Sequence, residues 1–523
     1  MSSLVKRWYL LHPILLAAYP VLFLWANNVG QVGFGDVIRP LLIVIGSAIV
    51  LTVVLARFTS SPPAAAMSIS LFMVLFLSYG HVVDLIDGRW GVDPHQTVAS
   101  VELLGLVIVL WWLWRRRNRL EGTTGVVNTV AAILILVQLG WGGWMTIARG
   151  ETTDDAPISA GREQVVPSES HLPDIYYIIA DGYARHDVLA RVYGVDNTWF
   201  LDSLKGRGFH VSDSNHANYC QTVLSLASSL NMDYLSNMDQ LDRNSYHRAK
   251  ATARVQSNRL MQFVRERGYQ TVTYETGYNV TDLETVDHYL SGGARITEFE
   301  SVLMSTTPLA HLVPSVANPY DLHRRRSQFL LRNLGQPDDI PSPKFVFAHL
   351  IAPHPPFVFG ANGESLTPSR TYSMKDGNDF RIKGGDSEEY LTGYRDQLEY
   401  VTGRLWEAIR RILDNADQPP IIVLQSDHGP GYGTHWQLVD LTDVQERLAI
   451  LNCYHIPGLP DSALYTGITP VNSFRLVLNH LFEAGFPMLP DSSFYSPVRH
   501  AYDFIDVGER LRSAGTGIST SGN

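Results

Sequence analysis

The chain has 523 residues, 45% of them hydrophobic, and a formal charge of −10, which allows two or three domains of ordinary globular composition. The negative balance excludes a general nucleic-acid binder, which needs a basic face. With only Cys220 and Cys453 present, a disulfide framework and a thiolate metal cluster are excluded, and a single bridge between the two is left open.

Apolar residues are concentrated before Ile147 and thin out after Arg149. Five stretches, Trp8–Ala26, Pro40–Ala56, Pro63–Val83, Val98–Trp114 and Val126–Ile147, reach or nearly reach the roughly 20 helical residues that cross a bilayer core. Residues 1–148 are therefore expected to form a five-helix transmembrane domain. Lys6, Arg7, Arg57, Arg115, Arg116, Arg117 and Arg119 fall on one side of these spans, while Asp36, Arg39, Asp84, Asp87, Arg89 and Asp93 fall on the other. The basic side is expected to be cytoplasmic. An odd number of spans then places the N-terminus inside and everything after residue 150 outside, at a plasma (inner) membrane. His81, Asp84 and Glu102 sit near the outer span ends, where interfacial solvation accounts for them. Residues 149–172, polar and carrying Pro157 and Pro167, read as an extended linker.

The remainder alternates strands with helices, so residues 173–512 are expected to form one α/β domain with a mainly parallel central sheet. Asp174–Ala180 (DIYYIIA) reads as a buried strand that delivers Asp181-Gly182 at its C-terminal end. A helix is expected over Asp196–Gly206. Lys344–Leu350 (KFVFAHL) is a second strand, carrying His349 and leading into IAPHPPF with His354. Tyr390, Tyr394, Leu398, Val401, Leu405 and Ile409 recur at helical spacing within Glu388–Asn415. Pro420–Gln425 (PIIVLQ) is a strand running into Ser426-Asp427-His428-Gly429, Leu448–Tyr454 is another, and Val471–Gly485 is an amphipathic helix. The tail from Ser513 is expected to be disordered.

Asn218–Met232 (NYCQTVLSLASSLNM) sets Thr222, Ser225, Ser228 and Ser229 among Leu and Ala where a helix could begin. At the first turn, the Thr222 hydroxyl would face unpaired backbone N–H groups that favour an anion. Three strand ends thus offer Asp181, His349 with His354, and Asp427 with His428. A mixed carboxylate and imidazole set suits Zn²⁺ or Mn²⁺ better than Ca²⁺.

In order, D-G after the first strand, T-x-x-S-L-A-S, H-x-x-x-x-H-P-P and D-H-G resemble the alkaline phosphatase and sulfatase superfamily. The layout of spans followed by an outer domain is similar to its membrane-anchored branch, which includes lipoteichoic acid synthase and the lipid A phosphoethanolamine transferases. The resemblance implies a sulfatase-like domain in which Asp181, Thr222, Asp427 and His428 ligate one divalent transition metal, Mn²⁺ or Zn²⁺. It further implies Thr222 as nucleophile through a phospho-threonine intermediate, with His349 and His354 contacting the transferred group or a leaving oxygen. His435, in G-T-H-W, resembles a downstream His that some members place in the same pocket, with a surface-loop role as the equal alternative. Ser225 joins it as a substrate-binding expectation.

Sulfatases of this superfamily mature a Cys or Ser within C/S-x-P/A-x-R, whereas Cys220 is followed by Q-T-V-L and the window lacks the Arg. A formylglycine sulfatase is therefore disfavoured. The expected activity is transfer of a phosphoglycerol- or phosphoethanolamine-type group from a phospholipid donor to an envelope glycan or lipid acceptor. A membrane-bound phosphodiesterase, phosphatase or sulfuric-ester hydrolase is the enzymatic alternative, and a non-catalytic assembly or sensor protein the alternative from another class.

Overall fold

The computed structural model describes residues 11–28, 34–59, 61–86, 93–147, 172–238, 241–292, 296–309, 318–335, 340–368, 370 and 372–516. The expected linker, over 149–172, lies almost wholly outside them. The chain divides into two compact units, Met1–Ile158 with Ile296–Pro319, and Ser159–Arg295 with Tyr320–Asn523.

The first unit is helical: α1 (Leu11–Asn28), α2 (Phe34–Thr59), α3 (Pro62–Ile86), α4 (Pro94–Arg116) and α5 (Glu121–Ile147). Four are long and apolar enough to cross a membrane, over Gly35–Thr59, Pro62–Val83, Pro94–Arg116 and Gly122–Trp144. The first expected span appears as a shorter apolar helix, Leu11–Asn27, its Trp8–Leu10 start lying outside the described residues. Asp93 caps α4 by accepting from the Gln96 N–H, with Pro94 at the first turn, the arrangement favoured at helix starts.

A short helix far along the chain, Glu298–Ser305, belongs to this unit, so the expected continuity of residues 173–512 is corrected. Its Thr297–Glu300 capping box fixes its start. Phe299 and Leu303 are buried with Ala18, Val21, Leu22 and Trp25 of α1. Glu300 makes a two-pronged ion pair with Arg39 of α2, and the Gly80 N–H of α3 donates to the Thr306 carbonyl at 2.9 Å. Residues of soluble spacing thus find apolar partners that no local pattern specifies.

The second unit is built on a seven-stranded sheet in the order β2-β7-β6-β1-β5-β3-β4. The strands are β1 (Ile175–Ala180), β2 (His210–Val211), β3 (Gln270–Tyr274), β4 (His288–Leu290), β5 (Lys344–Leu350), β6 (Ile421–Gln425) and β7 (Asn452–His455). β1 runs parallel to both β5 and β6, and β3 is parallel to β5 and β4; β7 and β2 are antiparallel. The mainly parallel sheet expected from alternating strands is therefore present. All six β1 residues are buried, as a strand covered on both faces requires.

The alternation of β1 sorts the two covering layers. Tyr176, Ile178 and Ala180 pack with Tyr390, Tyr394, Leu398, Val401, Leu405 and Ile409, the stripe of the long helix Ser387–Asn415. Ile175, Tyr177 and Ile179 pack with Val223, Leu224, Leu226 and Leu230 of α6 (Thr222–Asn231) and with Val471, Phe474, Val477 and Leu478 of Pro470–Phe482. Two expectations shift. Of the Leu448–Tyr454 stretch only Asn452–Tyr454 joins the ladder, which runs on to His455, because Ala449 and Ile450 instead bridge singly to His216 and Ala184. The tail expected to be disordered from Ser513 is helical as far as Thr516, its helix seated by Leu511 against Val444 and Leu448.

Candidate metal and catalytic centre

β6, β1 and β5 are neighbours and parallel, so their C-terminal ends open at one edge of the sheet, where ligands of open α/β sheets collect. Asp181 follows β1 directly, Asp427 and His428 follow β6, and His354 lies four residues beyond β5. α6 begins at Thr222, preceded by Gln221 in extended conformation. The backbone ties these ends together. The Asp181 N–H donates to the Leu350 carbonyl at 2.9 Å, and the His354 N–H donates to the Asp181 carbonyl at 3.0 Å. Gly182, at φ +74°, makes the turn after Asp181 in the left-handed region that glycine enters without a Cβ penalty.

Asp181, Asp427 and His428 offer ligand atoms within 4.8 Å of one another, all buried. The Nδ1 of His428 lies 2.9 Å from the Gly429 carbonyl, which accepts only, so Nδ1 carries the proton and Nε2 presents a lone pair. That lone pair faces Asp427 Oδ2 at 3.2 Å, Asp181 Oδ1 at 3.6 Å and the Thr222 hydroxyl at 2.9 Å. Asp181 Oδ1 and Asp427 Oδ2 are buried without a hydrogen-bond partner. Two orphaned carboxylate oxygens and an imidazole lone pair turned on each other repel unless a cation sits among them, and their mix fits Zn²⁺ or Mn²⁺. Asp181, Asp427, His428 and Thr222 are the residues that could hold it. Burial opposes ionisation of Asp181, yet the charge of His354 and the hydrogen bond of His349 outweigh it and hold the carboxyl below its usual range. Burial, then the nearby Arg447 cation, lower His428.

The other expected residues divide by place. Ser225 donates to the Asp427 backbone carbonyl at 2.7 Å, joining the first turn of α6 to the metal loop. His349 is buried on β5, its Nε2 3.4 Å from Asp181 Oδ2 and its Nδ1 2.8 Å from the Thr281 hydroxyl. His354 donates through Nδ1 to the Pro355 carbonyl at 2.6 Å, and its ring centre lies 6.0 Å from that of His428. His435 is half-buried, its Nδ1 accepting the backbone N–H groups of Gln437 and Leu438. Cys220 and Cys453 are both free and buried, which answers the question of a bridge between them.

Several contributors escape any local pattern. Gln397 is fully buried and accepts the Val358 and Phe359 N–H groups while donating to the carbonyls of Pro353 and His354, clamping the H-P-P-F loop. Asp376 lies 3.7 Å from His354 Nε2 and pairs with the buried Arg447 at 2.7 Å. A polar residue in phase with the Tyr390, Tyr394 and Val401 stripe was the available signal for Gln397; Asp376 and Arg447 had none.

A protein-family model described as Sulfatase matches residues 173–467. A search of curated proteins returned no match. Among solved structures, the C-terminal periplasmic domain of EptC from Escherichia coli, in complex with Zn, is 13% identical. It covers 64% of this chain and 93% of its own, with a TM-score of 0.42. The integral membrane lipooligosaccharide phosphoethanolamine transferase A from Neisseria meningitidis is 12% identical, over 90% of this chain and 95% of its own, with a TM-score of 0.37. The phosphonate monoester hydrolase of Agrobacterium radiobacter is 17% identical over 62% and 80%, with a TM-score of 0.39.

Proposed function

The chain belongs to the sulfatase family, enzymes of the alkaline phosphatase/sulfatase superfamily, and from that premise we propose a metal-dependent, membrane-bound phospho-group transferase. It moves a phosphoglycerol- or phosphoethanolamine-type group from a phospholipid to a cell-envelope glycan or lipid, through a phospho-threonine at Thr222. The observation that carries this reading is the 2.9 Å contact between the Thr222 hydroxyl and the His428 Nε2 lone pair, at the start of α6 and beside two orphaned carboxylate oxygens.

When bound, a divalent cation would lower the pKa of the Thr222 hydroxyl and offset charge on the phosphoryl oxygens. The chain supplies the rest. Thr222 Oγ attacks phosphorus as its proton passes to water, and the bond from phosphorus to the diacylglycerol oxygen breaks. Thr222 also stands at the first residue of α6, the end of a helix that favours an anion. With its Nδ1 committed to the Pro355 carbonyl, His354 would give a proton from Nε2 to the departing diacylglycerol oxygen. In the second half the acceptor hydroxyl attacks phosphorus, its proton passes to His354 Nε2, and Thr222 Oγ is released and takes a proton from water. His349 supports Asp181 from behind, and Ser225 holds the Asp427 loop against α6.

The formylglycine alternative finds little support at Cys220. That thiol is fully buried, its sulfur faces the Ser496 carbonyl and hydroxyl, and burial pushes its pKa up. The proposed orientation, N-terminus cytoplasmic and catalytic domain extracytoplasmic, draws on the first unit. The helix Glu298–Ser305 meets the C-terminal half of α1, Arg39 near the start of α2 and Gly80 late in α3, which are the same end of the helix set. Arg57, Arg115, Arg116 and Arg117 mark the opposite end.

The test incubates full-length protein with phosphatidylglycerol or phosphatidylethanolamine labelled in the headgroup. Diacylglycerol release with label on an envelope acceptor supports transfer. Free soluble headgroup phosphate shows hydrolysis instead, and no diacylglycerol from either lipid sinks the phospholipid-donor reading.

A further inference from the structure

Arg447 and Asp376 form the most deeply buried pair of an Arg or Lys with a carboxylate in the second unit among the described residues, with both side chains at most 3% exposed. Such a pair is expensive to desolvate and is poor evidence for stability alone, so its contacts matter. The Arg447 Nε donates to the Cys220 carbonyl at 2.8 Å, and its NH1 group donates to the Gly429 carbonyl at 2.9 Å. Cys220 stands two residues before Thr222. The Gly429 carbonyl is the same oxygen that accepts from His428 Nδ1 and thereby sets which nitrogen His428 presents. The Trp436 ring lies 4.8 Å from the guanidinium and closes it in.

Asp376 is held equally firmly. One carboxylate oxygen accepts from Tyr390 at 2.7 Å, the other accepts from Arg447 at 2.7 Å and faces His354 Nε2 at 3.7 Å. Gly431 is required beside it, since a Cβ there would lie 2.4 Å from the carboxylate. The Gly431 N–H also donates to the Tyr390 hydroxyl at 2.8 Å, so the turn after D-H-G and the Asp376 loop are bound through one phenol.

We propose that the Asp376–Arg447 pair is the positioning element that spaces His354 from His428 across the site. Arg447, tied independently to the Cys220 and Gly429 carbonyls, is the fixed end on the His428 side, and Asp376 is the arm that acts through its carboxylate on His354. Asp376 is a positioning residue, since it acts through the imidazole and its own oxygens are taken up by Tyr390 and Arg447. The inference rests on the proposed role of His354 in the transfer reaction and adds the residues that set it.

The experiment is a double-mutant cycle with full-length, metal-loaded protein and headgroup-labelled phosphatidylglycerol or phosphatidylethanolamine, whichever the wild type turns over. Asp376→Asn should lower kcat by about 10- to 100-fold with KM within about twofold, and in a His354→Ala background it should cost less than about twofold. Metal stoichiometry and Tm are followed for every variant. A loss of the same size in both backgrounds marks a purely structural ion pair and overturns the proposal. If Asp376→Asn does not fold, Tyr390→Phe replaces it, with a smaller loss expected in the wild type and again none beyond His354→Ala. A wild type inactive on phospholipids defeats the transfer reading alone, and the placement is then read from a crystal structure of the same variant. There, a His354 ring displaced from the Pro355 carbonyl while Asp181, Asp427 and His428 stay in place supports the inference; an unmoved ring overturns it.

Discussion

His428 turns a single lone pair toward Thr222, 2.9 Å from its hydroxyl, because its other ring nitrogen is committed to the Gly429 carbonyl. In the proposed reaction Thr222 is the nucleophile, and its loss should leave its surroundings intact. Thr222→Ala is expected to reduce turnover by at least about a thousandfold while Tm and metal content stay near wild type. Thr222→Ser should retain measurable turnover. Full activity in the alanine variant removes Thr222 from the mechanism.

The orphaned oxygens of Asp181 and Asp427 predict that a divalent cation stabilises the fold as well as the chemistry. Adding Zn²⁺ or Mn²⁺ to chelator-treated protein at a hundredfold excess over Kd should contribute roughly 3 kcal/mol, seen as a rise in Tm. His428→Ala should abolish both the rise and stoichiometric binding. A Tm indifferent to either ion in the wild type contradicts the site.

Gln397 is the clamp on the loop that carries His354. Gln397→Ala leaves the Val358 and Phe359 N–H groups and the Pro353 and His354 carbonyls without this partner in the interior, so we expect a loss of about 2–3 kcal/mol. Turnover should fall more steeply than stability, because the loop moves His354. Denaturant unfolding and kcat on the same preparation give both numbers.

Burial between the Tyr193 hydroxyl and the Gly433 N–H pushes the Glu446 carboxyl from 4.5 up to about 8. Between those values the folded chain holds a proton that the unfolded chain has released. The stability contributed by this group is therefore fully present below the unfolded value and is lost as pH rises toward the folded one. Tm should fall across roughly pH 5 to 8, and Glu446→Gln should flatten that stretch of the curve. An unchanged slope in the variant assigns the titration to another group.

Strand ends were legible because each is a short apolar run with its charged residue at the C-terminal end, and Asp181, His349, His354, Asp427 and His428 all lie at or just beyond β1, β5 and β6. Thr222 was legible through its small, uncharged neighbours. β3 was not: Q-T-V-T-Y alternates Thr with apolar residues, and Thr271 and Thr273 are buried only because Asp287 and the Leu283 carbonyl meet their hydroxyls. Asp376 and Arg447 were hidden for a related reason. They are 71 residues apart, and a lone Asp-Gly turn and a lone Arg before an apolar run carry no mark of each other.

The helix that carries Phe299 and Leu303 changes how this polypeptide can be taken apart. The chain passes from the first unit to the second, returns for Ile296–Pro319, and passes across again. One proteolytic nick between residues 172 and 292 therefore cuts the covalent path from α1–α5 to the rest of the chain, yet leaves Ile296–Pro319, a part of the first unit, covalently joined to the second. A soluble fragment begun after the first crossing would still bring Phe299, Leu303 and Glu300 with it, deprived of Val21, Leu22, Trp25 and Arg39. Such a fragment should aggregate until that excursion is replaced by a short polar loop.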